Sequence, residues 1–510
     1  MLLKERKTIG FIAFYLFMFF AAVYVLTASG RNFYNTDAGR LRFEVAKAIV
    51  EKSDLSVPEG IGIKGSDGRY YSWVGVGSAL LAVPFYIAGK SAGAPETGVS
   101  VMNQIAGTAA VILVFLFSIS LGYSERASLL VSIFYGLGTF AWPLAKQPFD
   151  HAVETLFVLL AVYYMYLYAN SRKTYQLLLS AVSVGIAFVT RPTSILVIPP
   201  LLVLTFSHCL KKAGFKSAAR PIVKDTLLFL SALLPFLSLS LWYNHYRFGS
   251  IFETGYRMLV SHGVDYFSKT SLLRGLSGFL ISPGKGFFYY SPVAVLFFFS
   301  IKGFMKRHRG LGISFIFLIM SCLFFFSKYE YWHGDWAWGP RYLLVITPFL
   351  IIPIAELFDS DIWHKSKFRR FAVYSIFILS LVIQLAAVSV DFQKYFFNLK
   401  AGENVEFTTV RGGKIQQMVV EPYFDWNKSP IVAQFKFIYD MSKKIKDYRY
   451  SEAPEDATLA EQMEVNPYMN IFDFWWACRY FVEGRLPGLA IFLLLLACYC
   501  ALRLRKAGVY

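Results

Sequence analysis

The stretch "VGVGSALLAVPFYIAG", Val74–Gly89, decides how this chain is folded. It is apolar enough to cross a membrane, and its reading sets the direction of every later segment. It holds Gly75, Gly77 and Pro84 and falls short of the roughly 20 apolar residues that a crossing helix needs. Counted as a crossing, it would send the later basic loops to the side opposite Lys4, Arg6 and Lys7. It therefore reads as an interfacial or re-entrant helix on the outer face.

The rest of the chain agrees with a membrane setting. Of 510 residues, 56% are hydrophobic and 16% charged, against about 25% charged in an ordinary soluble domain. That mix excludes a disordered chain, a collagen, a coiled coil and a disulfide scaffold. The net charge of +18 would suit nucleic acid if it formed one face. Instead, seven short stretches (1–7, 122–126, 170–175, 209–225, 302–311, 357–370 and 503–510) carry 22 of the 51 Lys and Arg residues. Basic clusters between apolar runs are the positive-inside pattern, and no nucleic-acid partner is expected. The five cysteines (209, 322, 478, 498 and 500) have neither disulfide nor metal spacing.

With Val74–Gly89 kept out of the count, about twelve spans remain: 8–28, 101–121, 127–145, 152–169, 176–190, 193–208, 226–243, 287–301, 312–327, 342–356, 371–391 and 487–502. The first run is long for a cleaved signal and reads as a retained span. The stretch 176–208 is too long for one crossing, and Arg191-Pro192 breaks it. Every basic loop then lies inside, as do both termini. The expected fold is an all-α polytopic membrane protein. Residues 1–391 form the transmembrane module, with outer loops at 30–100 and 244–286 carrying interfacial helices. Residues 392–486 form a small extracytoplasmic α+β segment, and 487–510 the last span and a cytoplasmic tail. In the segment, "VEFTTV" and "KIQQMVV" flank Arg411-Gly412-Gly413 as a β-hairpin. The stretch "SPIVAQFKFIYDMSKKIKD" reads as an amphipathic helix on the membrane. The cytoplasmic loops are too short to build a site, so chemistry is expected outside.

Candidate residues gather in the outer segments. In "NTDAGRLRFEVAKAIVEK" a helix opens at Asp37, and Asp37, Arg40 and Glu44 share one face. A carboxylate in a first turn is favoured in its charged form by the helix dipole and can serve as general base; equally, it can pair with Arg40. Tyr71, in "GRYYSW", is a sugar-facing hydroxyl or an interfacial anchor. The turn "AKQPFDHAVE" sets Lys146, Asp150, His151 and Glu154 together, and Glu154 lies about a turn inside a span, where an acid is costly. Asp150 is a candidate second catalytic carboxylate. Asp150 with His151 could take a divalent ion, but no full ligand set for a metal is present. Arg191, recessed below the outer surface, suits a lipid phosphate; equally, it can be a snorkelling or structural arginine. Lys285 between Gly284 and Gly286 could hold a phosphate on backbone amides, or simply be a turn before a span. The stretch "SKYEYWHGDWAWGPRY" combines aromatic faces with His333, Asp335 and Arg341, a mixture that suits a sugar phosphate. No dinucleotide, P-loop, zinc or nucleophile-elbow motif is found, so nucleotide energy is not indicated.

An Asp after the first span, an interfacial helix before the second and an acidic turn between spans three and four resemble the GT-C superfold of glycosyltransferases. The resemblance lies nearest protein O-mannosyltransferases and the lipid A aminoarabinose transferase. It rests on "NTDAGRLRFEVAKAIVEKSDLSV", "GRYYSWVGVGSALLAVPFY", "KQPFDHAVETLFVLLAVYY" and "GIAFVTRPTSILVIPP", which cover the first 210 residues or so. "NHYRFGSIFETGY", "SPGKGFFYYSP" and "GDWAWGPRYLLVITP" are similar to a less characterised bacterial branch. The resemblance implies sugar transfer from a polyprenyl phosphate to a lipid, glycan or protein acceptor outside the plasma membrane. It implies Asp37 as catalytic carboxylate, Asp150 or His151 in the second acidic turn, Arg191 near the donor phosphate, and inversion at the sugar. The chain departs from the family at Asp37-Ala38, where paired acids are frequent, and at Tyr71-Ser72, where a basic residue is common. A transporter, and an O-antigen polymerase or ligase, are the rival readings.

Overall fold

The structure is a computed structural model. It describes residues 2–29, 37–256, 258, 267, 270–334, 337–360, 365–402, 421–445, 470–485 and 487–506, with side chains of 2–6, 37, 38, 206–221, 397, 400–402, 421 and 422 outside that set. The chain is mostly helical. Among the described residues, seven helical stretches are long and apolar enough to cross a membrane, which supports a multi-pass membrane protein.

Helix α1 (Leu2–Leu26) is followed by α2 (Asp37–Lys52). A three-stranded antiparallel sheet of two-residue strands comes next: β1 (Ser56–Val57), β2 (Ile63–Lys64) and β3 (Tyr70–Tyr71), in the order β1-β3-β2. It is not legible in the sequence, because strands this short leave no alternation to read. Asp54 ties it down. Its carboxyl is pushed down to about 2: burial opposes ionisation, but bonds from Ser56, the Leu55 amide and Tyr246, with Arg69 beside it, outweigh that.

Helix α3 (Gly77–Ser91) is the decisive stretch, and at 15 residues it is short for a crossing. It packs against α2, α4 (Pro95–Ser120) and α8 (Thr174–Thr190). Its glycines are there for close approach. A methyl on Gly75 would sit 2.6 Å from the Thr190 carbonyl oxygen, and one on Gly77 2.5 Å from Thr190 Oγ1. The start of α3 is thus pressed onto the end of α8, directly beside Arg191.

Helices α5 (Glu125–Gly138) and α6 (Ala141–Lys146) replace the single span expected at 127–145, which breaks at Thr139. Helix α7 (His151–Ser171) is a full-length crossing helix. After α8 the chain breaks at Arg191-Pro192, as Pro192 requires, into a tight turn of helix at Pro192–Val197. Helical backbone then continues through α9 (Ile198–Phe248). A cytoplasmic loop was expected at 209–225; the backbone there is helical instead, but the chain still reverses. Thr205 reaches Met165 late in α7, and Asp225 pairs at 2.8 Å with Arg172 just past its end. Arg247 bonds the Ser72 carbonyl, back beside α3.

Later spans are fragmented. Helix α10 (Leu272–Ile281) lies in the expected outer loop. The span expected at 287–301 is α11 (Phe287–Tyr290), a tight turn at Pro292–Val295 and α12 (Leu296–Arg307). Helix α13 (Arg309–Lys328) is intact. The span at 342–356 is a run of tight helical turns around α14 (Thr347–Ile351) and α15 (Ala355–Phe358). It is almost wholly enclosed by protein, the setting in which broken backbone is tolerated at membrane depth. Helix α16 (Lys367–Ser389) spans, followed by α17 (Gln393–Gly402), α18 (Pro430–Lys444), α19 (Trp475–Glu483) and α20 (Gly488–Leu504). Helix α18 is the expected amphipathic helix, with Gln434, Phe437 and Met441 inward and Val432, Phe435 and Tyr439 outward. The expected hairpin at 405–420 lies outside the described residues. Helix α20 packs on α1 and leaves Leu489, Phe492, Leu495 and Leu502 exposed.

The basic stretches 122–126, 302–311 and 357–370 meet at one end of the bundle. Arg307 donates to the Gly122 carbonyl at 2.7 Å, Tyr123 to Glu356 at 3.0 Å and the Ser124 amide to Asp359 at 3.0 Å. Arg503 lies over the rings of Phe11 and Tyr15. A single cysteine at Lys224 and one at Lys436, each in a cysteine-free chain, should therefore label from opposite faces of sealed vesicles. Labelling from the same face would overturn this topology.

Candidate active site

At the other end, a buried ionic cluster forms where α2, α7 and the α8–α9 break meet. Asp150 immediately precedes α7. One carboxylate oxygen is 2.8 Å from Arg42 of α2 and the other 3.1 Å from Arg191. Arg191 Nε also lies 2.9 Å from Glu154, whose other oxygen accepts from Ser194 at 2.9 Å. Asp150, Glu154 and Arg42 are buried. Burial opposes ionisation of Asp150, but Arg42 and Arg191 outweigh it and hold its carboxyl below the ordinary range.

Backbone geometry makes this possible. Asn103 of α4 donates to the carbonyls of Gln147 and Phe149 at 2.7 and 2.8 Å, and Arg42 donates to Pro148 at 3.2 Å. The turn 147–150 is thereby held in place and presents Asp150 to both arginines.

Beside the cluster stands an aromatic wall. The Arg341 guanidinium lies 4.3 Å from the centre of the Phe149 ring and 5.0 Å from that of Tyr342, and it donates to the Tyr342 hydroxyl at 3.2 Å. Arg191 lies 5.5 Å from the Tyr342 ring. His151 lies between Phe149 and Tyr342, at 5.8 and 5.7 Å, and neither of its ring nitrogens has a hydrogen-bond partner among the described residues. Tyr256 is within electrostatic reach of Arg42, Asp150 and Arg191.

The structure thus brings together Asp150, His151, Arg191 and Arg341 among the expected residues. Asp37 opens α2, five residues before Arg42, and its side chain lies outside the described set. Glu44 is buried on α2, within electrostatic reach of Tyr86, and Arg40 is half-buried on the same helix.

Four expectations need correction or fall elsewhere, and a fifth lies outside the described residues. Arg191 is not a lone cation awaiting a phosphate, because Asp150 and Glu154 already flank it. Lys285 is fully buried and donates to the Ala337 carbonyl at 2.7 Å, with that of Gly339 at 3.4 Å, so it braces the aromatic loop. Tyr71 donates to Asp67 at 2.7 Å and packs edge-on to Tyr246, which commits its hydroxyl to the small sheet. His333 is buried and stacks on Tyr423 at 4.9 Å. Asp335 lies outside the described residues.

Arg42, Asn103 and Tyr256 were missed as site residues. Arg42 lies off the face shared by Asp37, Arg40 and Glu44, and nothing in the local spacing marks it. Among the described residues, no group of three or more His, Cys, Asp or Glu could hold a metal ion.

Comparison with known proteins follows the same outline. Residues 76–242 match the family described as dolichyl-phosphate-mannose-protein mannosyltransferase. No curated protein matches in sequence. Among solved structures, the chain is similar to ArnT from Cupriavidus metallidurans in the apo state, with 12% identity and a TM-score of 0.50, covering 96% of this chain and 75% of that one. It is also similar to the same protein bound to undecaprenyl phosphate, with 13% identity and a TM-score of 0.51, covering 97% and 76%. The fold is therefore shared with ArnT across nearly the whole chain, as the resemblance implied.

Proposed function

We propose that this chain is a membrane glycosyltransferase that moves a sugar from a polyprenyl phosphate to an acceptor outside the plasma membrane. The observation that carries the reading is the buried Arg42–Asp150–Arg191–Glu154 network beside Arg341, at the end of the bundle away from the basic loops. The family match over residues 76–242 and the ArnT-like fold support it. The donor brings its own leaving group, which agrees with a sequence lacking a nucleotide motif.

In this reading Asp37 takes the proton from the acceptor hydroxyl as the oxygen attacks the anomeric carbon. The sugar–phosphate bond breaks, and the configuration inverts in the single displacement. Asp150 is less suited to proton transfer, because a carboxylate held below its ordinary range is a weak base. Its part is to fix Arg42 and Arg191. Two guanidiniums and two carboxylates roughly neutralise one another, while Arg341 has no carboxylate partner among the described residues. Arg341 is therefore the side chain assigned to the departing phosphate, where preorganised positive charge is most effective.

Arg341→Ala should weaken competition by a sugar-free polyprenyl phosphate by about 10-fold or more, a charge-assisted hydrogen bond contributing about 1.5–3 kcal/mol. Arg341→Lys should restore part of it. Unchanged competition in Arg341→Ala would remove this residue from the donor site. Transfer itself is tested by mass spectrometry of lipid, glycan and protein acceptors after incubation with polyprenyl-phosphate sugars. Failure of every donor would overturn the reading.

A further inference from the structure

We infer that Asp473, in the C-terminal segment 470–484, is a positioning residue that latches the turn bearing Asp150. Lys146 ends α6, four residues before Asp150. Its ammonium is buried, 2.9 Å from Asp473 Oδ2, and it donates to the Val388 carbonyl at 2.7 Å and to the Asp473 carbonyl. All three of its protons are thus used. Asp473 is the acidic partner of Lys146 among the described residues. It is itself tied on two sides: Ser29 donates to its carboxylate at 2.6 Å, and its amide donates to the Ser389 carbonyl at 2.9 Å.

The following residues close the same joint. The Trp475 amide donates to the Ala28 carbonyl at 3.1 Å, and the indoles of Trp475 and Trp476 donate to the Val25 and Leu26 carbonyls at 2.8 and 3.0 Å. The last carbonyls of a helix have no partner within it, so these tryptophans supply what the end of α1 lacks. One short segment therefore joins the ends of α1, α6 and α16. The turn 147–150 hangs between that joint at Lys146 and the Asn103 and Arg42 contacts on its far side. A segment from the far end of the sequence thus sets where the catalytic turn begins.

This inference rests on the glycosyltransfer reading only for its kinetic arm. The test uses the full chain in lipid nanodiscs, with Asp473→Asn, Lys146→Met and the double variant. Amide exchange at Gln147, Phe149 and Asp150 should accelerate in Asp473→Asn. Turnover should fall about 10²-fold, the scale of an ångström's misplacement, with donor KM changed by less than about threefold. The double variant removes the uncompensated charge and should regain thermal stability without regaining exchange protection or turnover. Unchanged exchange in Asp473→Asn, or a double variant that recovers turnover along with Tm, would reduce the pair to a stabilising contact. If the wild-type chain transfers no sugar, the exchange arm still decides the latch, and it is the enzymatic reading that fails.

Discussion

Asp37→Asn should abolish sugar transfer, lowering turnover by about 10²–10⁴-fold, the range that general-base catalysis supplies. The substitution keeps the size of the side chain and a polar start to α2 while removing the charge. Expression and thermal stability should stay close to wild type, because a charge in the first turn of a helix is typically worth about 0.3–1 kcal/mol. Arg42 lies five residues after Asp37 in α2 and grips Asp150 at 2.8 Å, so the helix start is anchored next to the ionic cluster. A variant that keeps more than roughly a tenth of the activity would make Asp37 a helix-start residue and nothing else.

The second large effect is expected at Asp150. Replacing it by Asn leaves Arg42 and Arg191 facing each other without the carboxylate between them. Removing one partner from a buried ion pair costs about 3–5 kcal/mol, so Tm and transfer should fall together. Adding Arg42→Met to Asp150→Asn should recover much of the Tm but none of the transfer. Recovery of both would make the pair dispensable for chemistry. The pH dependence follows from the sign of the shift. A carboxyl held below its ordinary value of about 3.9 contributes stability above that value and loses it as the pH falls towards the folded value. Between pH 5 and 8, thermal melting should therefore show no titration from Asp150.

Much of the outline was legible in the chain. Basic residues marked the loops of one end, and Arg191-Pro192 marked a real break. Gly75 and Gly77 marked a helix too short to span, and the contact with Thr190 shows what those glycines are for. What stayed hidden was decided by distance in the sequence. Arg42 meets Asp150 across 108 positions, and Asn103 meets Phe149 across 46. Arg191 looked unpartnered because Asp150 and Glu154 belong to another helix. Span continuity misled for a different reason. Hydropathy responds to apolar content, and the segments at 287–301 and 342–356 are apolar while broken into tight turns inside the protein. Lys285 beside two glycines looked like a phosphate cradle, whereas its partners are carbonyls fifty residues downstream.

Helix α20 carries one more consequence. Its 17 residues extend about 26 Å, with Arg485 before it, Arg503 near its end and leucines facing outward along its length. An average hydrocarbon core is about 30 Å thick. Were α20 to cross such a core, the surrounding lipid would have to thin against it, or charged flanks would be drawn towards the acyl chains. The joint at Asp473 lies 15 residues upstream of Gly488, on the other side of α19. A strain on α20 would be passed along the chain towards the part of the molecule that anchors the Asp150 turn, and acyl-chain length would then be a physical variable of the site itself.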